Sequence, residues 1–476
     1  MLSQRVKDIF SIDSRALGIF RICLALILIF DLIVRSFSLT AHYTDFGVLP
    51  LGVYMERFVN SQWISLHNLN GSFVFQLTLF FIAFLFAFSM LIGYKTKLSS
   101  IVSWFLLISL HSRNPVILQG GDVMLRLLFF WAMFLPLGIR YSVDSNIKNS
   151  KNSVLSFGTA GILLQVAFVY LFSALLKTGN EWFPDGTAIY YALQLDQFAT
   201  YFGKFLLNFP NLLFYMTHFV YFLELIGPFL LFMPFFFNKI RITTTFAFII
   251  TLIGMALSLR LGHFPFVGIA GFVLFLPSVF WDKLSVKIRL FKKNNRFVFR
   301  DGKKKILKII LNVVALFFII YIFLWNVQET FDVNAVPDNI EFVAYKFRVD
   351  QYWNMFAPYP LKDDGWYVIE GVLANEQVID LFRNGDLVDY EKPKHVAYLY
   401  KHERWRKYLM NLWSRDYAIH RSYYLNYLCY DWNKDHSGDE RLESITMNFM
   451  LEVTGEDYYI YPVDKVVLEA IDCQVQ

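Results

Sequence analysis

Apolar positions in this chain neither alternate nor recur every three or four residues; they run on in long blocks. A spanning helix needs ~20 predominantly apolar residues. Nine blocks qualify or come near: 16–37, 73–93, 98–112, 123–140, 158–177, 211–236, 242–260, 264–281 and 306–325. The third and eighth are short for the task. The pattern predicts a polytopic α-helical membrane protein with about nine transmembrane helices over residues 1–326. After Trp325 the pattern changes, and residues 327–476 carry charge throughout. Glu341–Arg348, Trp366–Leu373, Gln377–Phe382 and Ser444–Val453 read as strands. Glu403–Trp413 and His420–Trp432 read as helices with aromatic faces. Asn384-Gly385 is a hairpin-turn signal. Residues 327–476 are thus expected to form an extramembrane α+β domain.

Composition supports the membrane reading. Hydrophobic residues make up 56% of the 476, with 52 Phe and only 17% charged. A soluble fold cannot bury that much apolar surface, and disorder or a disulfide scaffold is excluded by the same figures. The first apolar block lacks a small-residue cleavage site, so it is expected to stay as a signal anchor. The net charge of +5 is unevenly placed. Arg5 and Lys7, Lys95 and Lys97, Arg140, Lys148 and Lys151, Lys239 and Arg241, and the basic segment 283–305 all fall on one side of a nine-helix topology. Arg57, Arg113, Lys204 and Arg260 fall on the other. The positive-inside rule then predicts a cytoplasmic N-terminus and a C-terminal domain outside. The basic segment reads as an orientation signal and a surface for anionic lipid. No stacking or groove-reading pattern accompanies it, so no nucleic-acid partner is expected. Cys23, Cys429 and Cys473 have no metal or redox spacing; the last two could pair outside, but nothing requires it.

Ionisable residues near apolar helices are costly and point to function. They gather toward the outer side: His111, Arg113 and Asn114 after the third block, Asp122 and Arg126 in the fourth, Lys177 and Glu181 at the end of the fifth, and Arg260 and His263 between the seventh and eighth. His218 and Glu224 lie within the sixth, Glu224 nearer the midplane. Together they could line an outward-opening cleft for a ligand with an apolar body and a polar head, such as a quinone. The structural alternative is loop anchoring: Asp122 and Arg126 are spaced i, i+4 and can pair, and Arg113 and Arg260 can snorkel. His111 and His263 can be ordinary interface residues, and no HExxH-type spacing points to a metal. Lys177 either snorkels from its helix end or, made partly neutral by an apolar site, serves as a general base.

The segments Arg15–Asp31, His42–Pro50, His111-Ser112-Arg113-Asn114-Pro115 and Gly120–Arg126 resemble the vitamin K-dependent gamma-carboxylase family. More closely they resemble its bacterial branch, the horizontally transferred transmembrane (HTTM) domain. Val169–Lys177 followed by Trp182, then Tyr352–Phe356 and Arg404-Trp405, continue the likeness over most of the chain. The resemblance implies a bacterial inner-membrane enzyme, a carbon–carbon lyase or quinol epoxidase, with reduced vitamin K or a related quinol as cofactor. Lys177 would be the catalytic base on the quinol. Oxygen and carbon dioxide would be co-substrates, and a protein or peptide glutamate the acceptor. Two departures stand out. Gln119-Gly120-Gly121-Asp122 replaces the animal family's Asn-Asn-His, and the stretch to Gln476 is shorter than the animal lumenal region. Quinol binding or oxygenation is therefore the firmer expectation, ahead of carboxylation. A non-enzymatic membrane module, binding a lipid, quinone or protein through its outer domain, is the alternative. A transporter is weaker, because no inverted-repeat pair is visible.

Overall fold

The computed structural model describes residues 7–58, 64–145, 152–287, 305–455 and 458–473. Most of the basic segment 283–305 lies outside them. The main helices, in chain order, are α1 (Ser14–Ser36), α2 (Phe73–Ile92), α3 (Thr96–Arg113), α4 (Gly120–Ala132), α5 (Phe157–Leu176), α6 (Pro210–Leu231), α7 (Phe237–Ser258), α8 (Phe264–Val273) and α9 (Lys305–Phe331). Their ends follow ordinary capping chemistry. Asp13 accepts the Arg15 N–H to start α1, and Ser156 and Thr159 form a capping box on α5. Gly93 ends α2 at φ +73°, a left-handed position where a Cβ would also overlap the Arg21 guanidinium.

Every apolar block is helical, but nine full spans are not what forms. Among the described residues, six helices are long and apolar enough to cross a membrane: α1, α2, α5, α6, α7 and α9. A seventh crossing is available if α8 and Ser278–Leu284, bent by 96° to each other, count as one. Pro277 stands in that break and cannot continue a helix. The third block does form an 18-residue helix, α3, but five serines, Lys97, His111 and Arg113 make it too polar to pass as a lipid-facing span. The fourth, α4, has only 13 residues, a length of ~20 Å against a hydrocarbon core of ~30 Å. From Met124 to Ala132 nearly every side chain of α4 is buried. It is a central strut, enclosed by α3, α5 and α8. Large apolar side chains such as Phe30, Phe81, Phe229, Ile250 and Val313 are exposed on the outer helices, the surface a bilayer would cover.

The helices run between two ends. At one, Ser14 N–H bonds the Asn152 carbonyl and Arg15 pairs with Asp282 at 2.7 Å. The other end carries the C-terminal domain: α10 (Asp338–Phe347), β1 (Asp363–Leu373), β2 (Val378–Asp380), β3 (Asp386–Leu387), α11 (Glu403–Trp413), α12 (Ile419–Asn433), β4 (Leu442–Val453) and β5 (Asp464–Asp472). The strands form an antiparallel sheet in the order β3-β2-β1-β4-β5, with Trp366 opposite Met450 in its centre. Helix α12 packs on β4 and β5, and Cys429 on α12 forms a disulfide with Cys473 beyond β5.

Two expectations fail here. Glu341–Arg348 lies in a helix, α10 with its cap, because Ile340, Val343 and Ala344 recur at i, i+3, i+4 behind Pro337 and the acidic first turn. Gln377–Phe382 is strand only at Val378–Asp380. The Asp380 carboxylate accepts the Phe382 N–H and turns the chain into a short 3₁₀ helix. Asn384 and Gly385 then have φ of +57° and +89°, and the hairpin they signalled is formed. Strand β5 escaped the sequence reading.

Candidate functional site

Two buried polar assemblies lie toward the domain-bearing end of the bundle. The first is a closed ring of four charges. Arg35, in the last turn of α1, donates to Asp31 at 2.7 Å and to Asp122 on α4 at 2.5 Å. Arg404, on α11 of the C-terminal domain, bonds the remaining oxygens of the same two carboxylates. The Tyr43 hydroxyl accepts a further bond from Arg35 at 2.7 Å. All four charged side chains are 0–1% exposed. Two carboxylates and two guanidiniums leave no net charge, and each guanidinium uses its fork to bridge both acids.

Two predicted residues flank the ring. His111 Nε2 is 3.5 Å from Asp122, and His263 lies 3.7 Å from Asp122 and 3.3 Å from Arg404. Asp31, His111 and Asp122 place ligand atoms within 4.8 Å of one another, as a metal centre would. Both carboxylates are already neutralised by guanidiniums, which a cation would have to displace. The expected Asp122–Arg126 pair does not form. Asp122 is spent on the ring and on capping α4 through the Gln119 N–H, while Arg126 bonds Asp350 at 2.7 Å and the Arg348 carbonyl. Arg113 and Asn114 anchor the preceding loop through the Leu49 and His42 carbonyls, at 2.8 and 3.0 Å. Arg260 bonds the Ala397 carbonyl and lies over Tyr398. These residues hold the C-terminal domain and the loops in place.

The second assembly centres on Lys177, the residue that caps α5. It is 5% exposed. Its Nζ bonds the Glu224 carboxylate on α6, donates to Ser173 Oγ at 2.8 Å, and sits 4.8 Å from the Trp182 ring. Sequence reading named Lys177 and Glu224 without pairing them. Pro228, four residues on in α6, has no N–H for the Glu224 carbonyl. The turn after Lys177 is covered by the C-terminal domain: Trp182 Nε1 donates to the Phe356 carbonyl, Gly179 N–H to that of Pro358, and Glu181 pairs with Lys362 at 2.8 Å. His218 bridges the Phe214 and Pro184 carbonyls and is half-buried. The other face of α6 carries an open apolar groove of about 400 Å³, lined by His218, Phe219, Phe222, Leu223, Ile226, Gly227 and Leu230, with neither Lys177 nor Glu224 in its wall.

The predicted residues thus divide. His111, Asp122 and His263 belong to the ring, Lys177 and Glu224 to the pair, and Glu181 and His218 to the turn between pair and groove. Arg113, Asn114, Arg126 and Arg260 are anchors. Asp31, Arg35 and Arg404 were not singled out as site residues. The i, i+4 spacing of Asp31 and Arg35 inside an apolar run was the available signal.

Long apolar helices with buried charges define an integral membrane protein. Residues 10–281 match the family model of the HTTM domain, and the chain belongs to that family. Nothing among curated proteins or solved structures matches it.

The ring makes Arg404 the link between domain and bundle. Arg404→Ala leaves two buried carboxylates facing one guanidinium and is expected to cost about 3–5 kcal/mol, read as a lowered thermal midpoint of the purified protein. Arg404→Lys, which cannot fork, should recover only part of it.

His402 caps α11: its Nδ1 accepts the Arg404 N–H at 3.2 Å, and Nε2 meets Ser38 Oγ at 2.8 Å. Burial pushes it down to about 4, against the opposing charge of Glu403. A histidine held neutral by the fold gives full stability above its unfolded value of ~6.5 and loses it as the pH falls toward 4. His402→Asn keeps a capping side chain without the titration. Its thermal midpoint should fall less than the wild type's between pH 6.5 and 4; an equal fall would refute the assignment.

Proposed function

We propose that this HTTM-domain protein is an integral-membrane enzyme that takes a proton from a quinol, with Lys177 as the base. The observation that carries this reading is the buried Lys177–Glu224 pair, whose glutamate stands on a helix with an apolar groove on its other face. The groove suits a hydrophobic body and the pair a polar head. The likeness of Val169–Lys177 and Trp182 to the gamma-carboxylase segment that holds its catalytic lysine supports the same role.

The residues fit such a ligand. Phe219, Phe222, Leu223, Ile226 and Leu230 would hold the apolar part, and a head group turned inward past α6 would meet Lys177, Ser173 and Glu224. A bound quinol supplies two electrons and an acidic hydroxyl. With its proton passed to Glu224, the Lys177 amine would have a lone pair and could accept the hydroxyl proton of the quinol. The resulting ammonium then faces the anion it has created. Ser173 Oγ fixes the Nζ position, and Trp182 with the 356–362 loop keeps water from the amine. Oxygenation follows from the resemblance, as does carboxylation of a glutamate in a protein or peptide acceptor.

The domain-bearing end is proposed to face away from the cytoplasm. Lys95, Lys97, Arg140 and Lys239 lie in turns and first helical turns at the opposite end, and a disulfide closes on the domain side.

The reading is tested with purified protein, a reduced naphthoquinone and oxygen. Wild type should yield oxidised or epoxidised product. Lys177→Gln should lower the rate by 10²-fold or more, by the usual weight of a general base, while its thermal midpoint stays measurable and cooperative. Undiminished turnover in Lys177→Gln would remove the catalytic role. A wild type without turnover that co-purifies with a protein partner would favour the non-enzymatic module.

A further inference from the structure

Arg406 carries a guanidinium that the fold leaves without a hydrogen bond. It lies on α11, 3% exposed, 4.1 Å from the centre of the Phe198 ring. Arg21, Arg113 and Arg241 are also buried without an ion pair, but each donates to a main-chain carbonyl. Among the described residues nothing accepts from the Arg406 side chain. Its Nε is sealed, while the two Nη atoms, equally unbonded, are not sealed from solvent. A ring face returns only part of what a guanidinium loses on leaving water. Burial pushes Arg406 down to about 10, with Arg260 and Arg404 adding like charge against the pull of Tyr400 and Glu403. It is still a cation at neutral pH.

A second guanidinium comes to the same place. Arg260 N–H bonds the Phe198 carbonyl at 2.8 Å, and Ala199 pairs with Leu259, so the loop after α7 and the turn at Phe198 lie side by side. The Arg260 guanidinium lies 4.7 Å from the centre of the Tyr398 ring and spends one Nη on the Ala397 carbonyl. Its Nε and second Nη make no hydrogen bond and are not sealed from solvent. Neither guanidinium forms an ion pair among the described residues, with Glu403 or any other acid. Two cations thus meet at Phe198, one from the bundle and one from the C-terminal domain, with free N–H groups and no carboxylate to answer them.

The place is at the level where the bundle leaves the bilayer. Thr200 N–H bonds the carbonyl of Ser258, the last residue of the spanning helix α7. Next in the chain, Tyr201, Phe202 and Phe205 are exposed on the short helix Tyr201–Leu206, and the Tyr201 ring packs 5.0 Å from Tyr398. Exposed aromatic rings at the end of a spanning helix mark the membrane–water interface. Leu257 on α7, also exposed, extends the apolar surface toward the membrane interior.

We propose that Arg260 and Arg406 bind the phosphate of an anionic phospholipid in the leaflet on the domain side. Two guanidinium forks suit the oxygens of one phosphate, and basic recesses between membrane elements take anionic head groups. The acyl chains would follow Phe202, Phe205 and Leu257. A free phosphate offers the same oxygens but leaves that apolar surface unused. The bound lipid would tie the domain to the bundle at a second place, beside the ring of four charges.

The experiment uses the purified full chain, delipidated in a neutral detergent, with phosphatidylglycerol, phosphatidylcholine and inorganic phosphate as probes. Binding is read by native mass spectrometry and ligand-free stability as a thermal midpoint. The wild type should retain phosphatidylglycerol in preference to phosphatidylcholine and bind inorganic phosphate more weakly than either. Arg406→Met, which keeps a flexible chain over Phe198, is expected to weaken phosphatidylglycerol binding about tenfold or more, the worth of a charge-assisted bond, with an unchanged or raised midpoint. Arg260→Gln should weaken binding in the same direction. Arg415→Gln removes an exposed cation just beyond α11 and should bind as the wild type does. No lipid preference in the wild type, or undiminished binding by either Arg406→Met or Arg260→Gln, overturns the proposal. So does an equal loss in Arg415→Gln, since the effect is then one of surface charge. A midpoint that falls together with binding in Arg406→Met overturns it as well, because the guanidinium is then structural. Inorganic phosphate bound as tightly as the lipid would assign the two arginines to a free anion and overturn the lipid source.

Discussion

Four buried charges, Asp31, Arg35, Asp122 and Arg404, set the geometry on which the rest of the molecule depends. Each acid is bonded to both guanidiniums and each guanidinium to both acids, so none can move without breaking two bonds. The ring joins α1, α4 and α11, and through α11 it seats the C-terminal domain on the bundle. Buried ion pairs need not stabilise a fold more than apolar packing would. Their value here is register: a forked guanidinium tolerates little rotation about its partner. Helix α4 is too short to be placed by a bilayer, and Asp122 ties it in position.

The seated domain completes the Lys177 assembly. Phe356, Pro358 and Lys362 come from the C-terminal domain and close over Trp182, Gly179 and Glu181. The two assemblies have opposite chemical characters. In the ring every charge is matched twice, which suits a fixed joint. In the pair one amine meets one carboxylate, one serine and the face of an indole. A proton can change places there without unbalancing a larger network, as proton-transfer chemistry needs.

Much of this was legible in the chain. Continuous apolar blocks placed every helix of the bundle, because a membrane interior demands satisfied backbone groups along the whole segment. Apolar length overstated the crossings: α4 is apolar because protein, and not lipid, surrounds it, and α3 carries too many polar side chains for a lipid-facing span. In the C-terminal domain the short apolar run Trp366–Leu373, rich in aromatic and β-branched residues, reads correctly as a strand, but α10 does not read as a helix, since its short helical period hides inside a run rich in Val, Phe and Tyr. Strand β5 was missed because only one of its faces is partly covered. Lys177 and Glu224 stood out as charges at apolar positions, yet their pairing spans two helices and 47 residues. Arg404 could not be assigned to the ring at all, since its partners lie 282 and 373 residues away. The family of the membrane domain agrees with the HTTM part of the resemblance; the proposed quinol chemistry rests on the likeness of Val169–Lys177 and on the surroundings of Lys177.

That chemistry is most directly tested by mass spectrometry of the lipids extracted from the purified protein, compared with those of a Lys177→Ala, Glu224→Ala double variant prepared identically. The account predicts a prenylated quinone enriched over bulk membrane lipid in the wild type and depleted in the variant. A wild type without quinone enrichment, or an equal quinone content in both proteins, would contradict it.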